Sequence, residues 1–439
     1  MSMRSSTSAD ENIDTTSRVR TLRWIILLVV IVSCSAYITV YFTKQDFWVY
    51  YASGISILNG RTDFYAPDFA NGPIMDYRYP PFFIIVFAPF ALLPPTIAAF
   101  LWAALSVTAS VAAFQCLSKL LRSPILRFGR EGVILGLAVV LTAKYILIAL
   151  KYQNVHLIVV ALFTLSFCLL IERKIFIAAW LMALATIFKL FPLASLPYFA
   201  IKKQWKFLGF TCAFLIVMVV IPSFYLGITR NFEIHRQWYE HVVEPSDYYE
   251  LNGPPNLSIH GQVVRYFSQI KYDERTSDKN YRNVNIANYD VRILRSISWS
   301  IAFIIFLITF TLIWSAGRNR QGRKSEISFD GYLFHELGLV ICASLLAGPR
   351  TNIVYFTAMF VPVAALLSSV FAKRSRMSLS ALVVVAVATI VLPLVPGSTM
   401  QRLFLVVGID FYAAFALWLA LAVEIWRAAR IEPPELRAM

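Results

Sequence analysis

Charge is scarce in this sequence. Only 15% of its 439 residues are Asp, Glu, Lys or Arg, against about 25% in soluble domains, while 58% are hydrophobic and the mean hydropathy is +0.64. So little polar surface cannot wrap the roughly three water-soluble cores that the length would otherwise suggest, and the same figures exclude disorder along most of the chain. Histidine and cysteine are also few, five of each. The cysteines (Cys34, Cys116, Cys168, Cys212, Cys342) have no CxxC spacing and no histidine at metal-ligand distance, which excludes a disulfide scaffold and a zinc module. No GxGxxG or phosphate-binding P-loop occurs, so no cofactor is expected.

What the sequence has instead is long apolar runs. The first, about 24 to 42, follows Arg18, Arg20 and Arg23 and lacks a small-residue cleavage site, so it reads as a retained helix with a cytoplasmic N-terminus. Others span about 80–94, 95–117, 132–150, 153–171, 176–188, 190–201, 205–227, 291–316, 331–347, 353–371, 378–396 and 403–426. Two of these are interrupted, at Leu93-Pro94-Pro95 and at Lys189-Leu190-Phe191-Pro192, and their pieces are shorter than the roughly 20 residues a crossing needs. Such pieces are broken or re-entrant elements shielded by neighbouring helices. The fold class is therefore an all-α polytopic membrane protein with 11 to 13 transmembrane helices.

Its net charge of +15 reports topology rather than nucleic-acid binding. The short connections 119–130, 202–206, 318–324 and 373–376 are strongly basic and belong in the cytoplasm, whereas the long segments 43–79 and 228–290 have no basic excess and belong outside. The expected organisation is a disordered cytoplasmic segment 1–20, a membrane domain 21–430 with those two outer loops, and a cytoplasmic tail 431–439.

The first outer loop holds the chemistry-bearing pattern. Asp46 opens a run in which Phe47, Tyr50, Tyr51, Gly54, Ile55 and Leu58 have helical spacing, ended by Asn59-Gly60. This predicts an amphipathic helix on the outer surface. Asp46 is either its N-cap or a carboxylate at the lipid–water boundary serving as a general base. Farther on, Asp76-Tyr77-Arg78-Tyr79-Pro80-Pro81 leads back into the membrane, with Tyr79 at the interface.

The segments DFWVYYASGISILNGRTDFY, YRYPPFFIIVFAPFALLP, KYQNVHLIVVAL, LATIFKLFPL and NLSIHGQVVRYF, in that order over roughly residues 40 to 370, closely resemble glycosyltransferase family 87, the domain-of-unknown-function 2029 group. That group includes polyprenol-phosphate-mannose-dependent α-mannosyltransferases. The resemblance implies a GT-C fold, a membrane-embedded hexosyltransferase of the cell envelope, and an Asp in the first outer loop as catalytic base, which falls on Asp46. It implies as partners a polyprenyl-phosphate sugar donor, a glycolipid or glycan acceptor and membrane lipids, in a bacterial plasma membrane with the site extracytoplasmic. No DxD motif of the nucleotide-sugar enzymes occurs and no metal is expected. The competing reading is a transporter or flippase of a lipid-linked saccharide, and a third is an inactive relative acting in envelope assembly. A transporter would ordinarily show related halves, and no internal repeat is visible.

A lipid-phosphate donor needs fixed cations at its phosphate. Lys144 and Lys151 lie two helical turns apart on one face, Lys189 interrupts an apolar run, Arg265 is in the second outer loop, and Arg350 stands in Gly348-Pro349-Arg350-Thr351-Asn352. Lys151 and Arg350 equally suit snorkelling to headgroups. Lys144 and Lys189 are the sharper candidates, because a charge inside the membrane costs about 2.5–3.5 kcal/mol on insertion scales. Gln153, Asn154 and His156 are candidates for sugar hydroxyls, with helix capping as the alternative for the first two. Tyr50, Tyr51 and Tyr79 would line the site. Asn256, Ser258 and His260 suit a pocket or loop-structuring role. Family members often carry a histidine where this chain has Pro349 to Tyr355, a departure that bears on donor contacts.

Overall fold

A backbone in hydrocarbon finds no water, so apolar runs of this length fold as helices that satisfy their own N–H and C=O groups. The computed structural model describes residues 25–65, 77–122, 130–243, 256–268, 284–320 and 332–430. Among them the extended elements are all helical, with one isolated bridge between Ser268 and Tyr289. The expected segments 1–20 and 431–439 and parts of both long loops lie outside the described residues.

In chain order the elements are α1 (Ile25–Tyr41), α2 (Gln45–Leu58), α3 (Pro81–Ala91), α4 (Pro95–Arg122), α5 (Glu131–Tyr152), α6 (His156–Ile171) and α7 (Ile175–Phe188). A 3-10 turn at Phe191–Ser195 leads into α8 (Leu196–Ile201), then α9 (Trp205–Val220), the single turn α10 (Ser223–Leu226) and α11 (Ile228–Trp238). There follow α12 (Ile259–Phe267), α13 (Val291–Arg320) and α14 (Leu333–Ala347). A 3-10 stretch at Ile353–Met359 runs into α15 (Phe360–Lys373), and the chain closes with α16 (Arg376–Ala386), α17 (Ser398–Val407) and α18 (Ile409–Arg430).

Seven helices are individually long and apolar enough to cross a membrane, and the α1–α2 pair, bent by 87°, supplies an eighth candidate. Five shorter apolar segments (α3, α6, α7, 191–201 and α14) accompany them, so the described residues hold seven or eight helices of crossing length where 11 to 13 were expected. The protein is an all-α, multi-pass membrane protein.

The run at 80–94 does not cross. The Tyr50 and Tyr79 hydroxyls meet at 2.9 Å just before α3 begins, and Tyr51 donates to the Leu93 carbonyl just after it ends. Both ends of α3 therefore lie beside α2. Trp102, near the start of α4, donates to the Gln153 carbonyl at the end of α5, so α4 starts at that same end of the bundle. Gly54 permits the close α2–α3 packing, since a Cβ there would lie 2.8 Å from Ala91 Cβ. At the C-terminus the run expected at 403–426 is two helices, because Gly408 with φ of 78° turns the chain between α17 and α18.

Helix length shapes the end that carries Asp46. At 1.5 Å per residue, the 16 residues of α6, 14 of α7 and 15 of α14 span only about 21–24 Å, short of the roughly 30 Å hydrocarbon core. Their neighbours α4 and α13 have 28 and 30 residues. The short helices thus end before their long neighbours do, at Asn154, Lys189 and the 348–352 turn. At the opposite end Lys202 pairs with the fully buried Glu336 at 2.5 Å.

Candidate active site

Asp46 sits in the first turn of α2, but the N-cap is Lys44, in a left-handed conformation (φ 54°, ψ 33°), so Asp46 does not cap the helix. Its carboxylate faces the α5–α6 junction instead. There Gln153 closes α5 with a left-handed backbone (φ 52°), which reverses the chain and aims Asn154 at α2. Asn154 Nδ2 donates to Asp46 Oδ2 at 2.8 Å, and Asn154 Oδ1 accepts the His156 N–H at 2.8 Å and Lys189 Nζ at 3.4 Å. Asn154 therefore holds the first N–H of α6 from one residue before the N-cap, Val155, while bridging an acid to a base. Lys189 owes its place to the break after α7: its backbone is extended (φ −159°, ψ 127°) and Pro192 opens the 3-10 turn beyond.

Both charged groups lie at the mouth, outside the crossing segments. Burial raises the Asp46 pKa above the usual carboxylate range, against the Asn154 bond and the Lys189 charge. Burial likewise pushes Lys189 down to about 8, with Asp46 opposing. Both residues are half-buried.

Around this trio stands an aromatic wall. Lys189 Nζ lies 4.2 Å from the Tyr355 ring centroid and 5.9 Å from that of Tyr79. The His156 ring stacks against Tyr355 at 4.4 Å, its Nε2 is 3.3 Å from the Tyr355 carbonyl, and its Nδ1 has no hydrogen-bond partner among the described residues. The Gln153 amide, 3% exposed, also lacks one at either atom. Arg78, Arg350 and Asp46 all lie close enough to act electrostatically on the Tyr355 hydroxyl. Arg78 and Tyr355 were not singled out from the sequence. Arg78 had a signal, a cation beside the interfacial Tyr79 where the chain re-enters the membrane; Tyr355 had none beyond its aromatic character.

Other expected contacts are already engaged within the protein. Tyr50 accepts the Val155 N–H and bonds Tyr79, and Tyr51 is tied to Leu93, so these three tyrosines shape the wall rather than offering free hydroxyls. Lys144 is not part of the trio: its Nζ lies 2.5 Å from Asp410 Oδ1, which also accepts the Tyr145 hydroxyl at 2.8 Å. Direct pairing of a membrane charge with a buried acid spends the cation that the sequence reading held for a phosphate. In the second loop Asn256 is structural, because its Oδ1 accepts the Ser258 and Thr351 N–H groups and its Nδ2 donates to the Pro349 carbonyl. Arg265, 1% exposed, donates to the Asn256 carbonyl at 2.7 Å. His260 bonds Ser298 at 2.8 Å, and burial lowers its pKa to about 4. These residues knot the second loop to the 348–352 turn and so hold Arg350 in place.

An apolar groove of about 750 Å³ opens among α1, α4, α5, α6 and α15. Tyr37, Phe42, Phe114, Leu150, Leu157 and Thr357 line it. Phe42 precedes Asp46 by one turn of chain, Leu150 and Leu157 flank Gln153 to His156, and Thr357 follows Tyr355. The groove is thus walled by residues adjacent in sequence to the site, while Asp46, Asn154 and Lys189 are not among those that line it. No cluster of three His, Cys, Asp or Glu side chains suited to a metal exists among the described residues.

The family model for glycosyltransferase family 87 matches residues 77–334, more than half of the chain. No curated protein matches it.

Proposed function

The chain belongs to glycosyltransferase family 87, and on that premise we propose that this membrane glycosyltransferase moves a hexose, mannose in the first instance, from a polyprenyl-phosphate donor to an extracytoplasmic glycolipid or glycan acceptor. The carrying observation is the Asp46–Asn154–Lys189 trio, an acid and a base bridged by one amide, beside which Phe42, Leu150 and Leu157 of neighbouring chain positions line an apolar groove. The groove suits an isoprenoid chain, and Lys189, with Arg78 and Arg350 nearby, suits its phosphate.

The reaction follows from these roles. The acceptor hydroxyl attacks the anomeric carbon from the face opposite the phosphate, its new C–O bond forms as the sugar–phosphate bond breaks, and its proton passes to the Asp46 carboxylate. Inversion results, because no glycosyl-enzyme forms. The departing phosphate keeps the electron pair and needs no general acid, since the cations stabilise it; one carboxylate is enough. The raised Asp46 pKa, with Asn154 fixing the carboxylate, suits a base that must accept a proton. The Gln153 amide and His156 Nδ1, buried and without a partner among the described residues, would bond the sugar hydroxyls once donor binding uncovers them.

The test supplies purified protein with radiolabelled polyprenyl-phosphate-mannose and a membrane lipid extract, beside Asp46→Asn. Transfer by the wild type and none by a folded Asp46→Asn is the expected result. Equal transfer by both removes Asp46 from its role, and movement of intact donor across vesicles without cleavage replaces the enzyme with a flippase.

A further inference from the structure

The segment after α9 carries an apolar face that no part of the described protein covers. Phe224 is 88% exposed, Ile228 81% and Phe232 73%, and Tyr239 is half-exposed in the π-helical turn that follows. Ile228 and Phe232 are one helical turn apart on α11, and Arg236 is the next exposed residue along that face. The opposite face is fastened down. Asn231 Nδ2 donates to the Val219 carbonyl and to Ser223 Oγ, which folds α11 back against the end of α9. Tyr225 donates to the Ile57 carbonyl at the end of α2, Arg230 to Thr62 Oγ1, and Trp238 to the Arg78 carbonyl at 3.4 Å.

We propose that α11 is a membrane-surface helix that seats Phe224, Ile228, Phe232 and Tyr239 in the leaflet on the Asp46 side, and that this lipid contact braces α2 and the Arg78–Tyr79 re-entry. Lipid is the occupant because the face is continuous with the bilayer-facing side of α9, where Ile216, Val217 and Val220 are 65%, 53% and 48% exposed. The charges agree with it. Arg230 pairs with Glu233 and Arg236 with Glu240, so the helix carries little net charge and its binding is apolar insertion, with Arg236 on a stem long enough to reach phosphate headgroups. The brace reaches the site through backbone: Ile57 ends the helix that begins with Asp46, and Arg78 adjoins Tyr79, whose ring flanks Lys189. The proposal does not depend on the sugar donor or on Asp46 being a base.

The test places the photoreactive residue p-benzoylphenylalanine at Phe232 or, on the other face, at Gln237, in full-length protein in nanodiscs of tritiated phosphatidylglycerol and phosphatidylethanolamine. Label at position 232 should exceed that at 237 by about tenfold, as for a face seated in the acyl boundary. Equal labelling overturns the proposal, and so does a crosslink from 232 to a second protein chain. A second measurement needs no photochemistry: replacing Phe224, Ile228 and Phe232 together by Ser should speed amide exchange of residues 57–62 and 77–79 while α5 and α18 stay protected. Unchanged exchange there would sink the bracing role. Loss of transferase activity in Asp46→Asn leaves both readouts untouched, so the two proposals fail separately.

Discussion

Lys144 and Lys189 are both lone cations in apolar helical runs, yet Lys144 sits 2.5 Å from Asp410 while Lys189 meets Asp46 only across an intervening amide. Asp410 is 3% exposed and accepts a second bond from Tyr145, so that pair is closed. Around Lys189 the charge is shared among a bridged carboxylate and two aromatic faces, and nearby polar atoms at Gln153 and His156 lack protein partners among the described residues. A closed pair satisfies the cost of burying its ions and has little left for a ligand; a bridged pair keeps field and hydrogen-bonding capacity for an incoming phosphate. The lesson is that a lone charge in an apolar run marks function only after its partner is known.

The sharpest test exchanges the two acids. Asp46→Asn should cut kcat/KM by about 10²–10⁴, the usual worth of a general base, with thermal unfolding little changed. Asp410→Asn should leave turnover within a few-fold of wild type. If Asp410→Asn abolished transfer and Asp46→Asn did not, the comparison would be reversed.

Next in size is stability. Asp410→Ala strands Lys144 without its counter-ion and should cost about 3–5 kcal/mol in a denaturation series in detergent, whereas Lys144→Met combined with Asp410→Leu should recover most of that loss. Lys189→Met should cost little stability, because Asp46 keeps its Asn154 bond. A large loss for Lys189→Met would mean that it, too, is a closed structural charge.

The pH profile separates the pairs further. Because burial lowers Lys189 to about 8, its positive charge is present below that pH and fades above it, so donor affinity should fall as pH rises through about 8. Folding stability has the opposite sign: the folded state gives up this proton sooner than the unfolded chain, so that contribution grows with pH across the same window. Lys189→Arg, which stays charged, should flatten the alkaline fall in affinity measured by donor titration.

These distinctions mark where sequence reading ends. The helices were legible because each is a long apolar run with Pro, Gly or a charge at its boundary. Asp46, Asn154 and Lys189 stood out as polar groups at such boundaries. The partner of Lys144 was not legible, because Asp410 lies 266 positions away and only packing of α5 against the start of α18 brings them together. The structuring role of Asn256 had one signal in Gly261, where a Cβ would fall 2.1 Å from the Asn256 carbonyl oxygen, but a lone glycine names no neighbour. Asp46 does not cap for a local reason: Lys44, left-handed at the 87° bend, holds the N-cap position, and the Asp46 carboxylate accepts from Asn154 instead.

The smallest effect tests the bridge itself, the feature the closed pair lacks. Asn154→Ala removes the donor to Asp46 and the acceptor for Lys189 at once. A hydrogen bond to a charged group is worth about 1.5 kcal/mol, so kcat should fall roughly tenfold with KM for the donor changed less. The bond also favours the ionised carboxylate, so its loss leaves burial opposed only by the Lys189 charge and raises the Asp46 pKa further. The base is then protonated at a higher pH, and the acid limb of the kcat profile should move upward in Asn154→Ala. A merely structural asparagine would lower kcat at every pH and leave that limb where it was, and that result would reduce the trio to a helix junction.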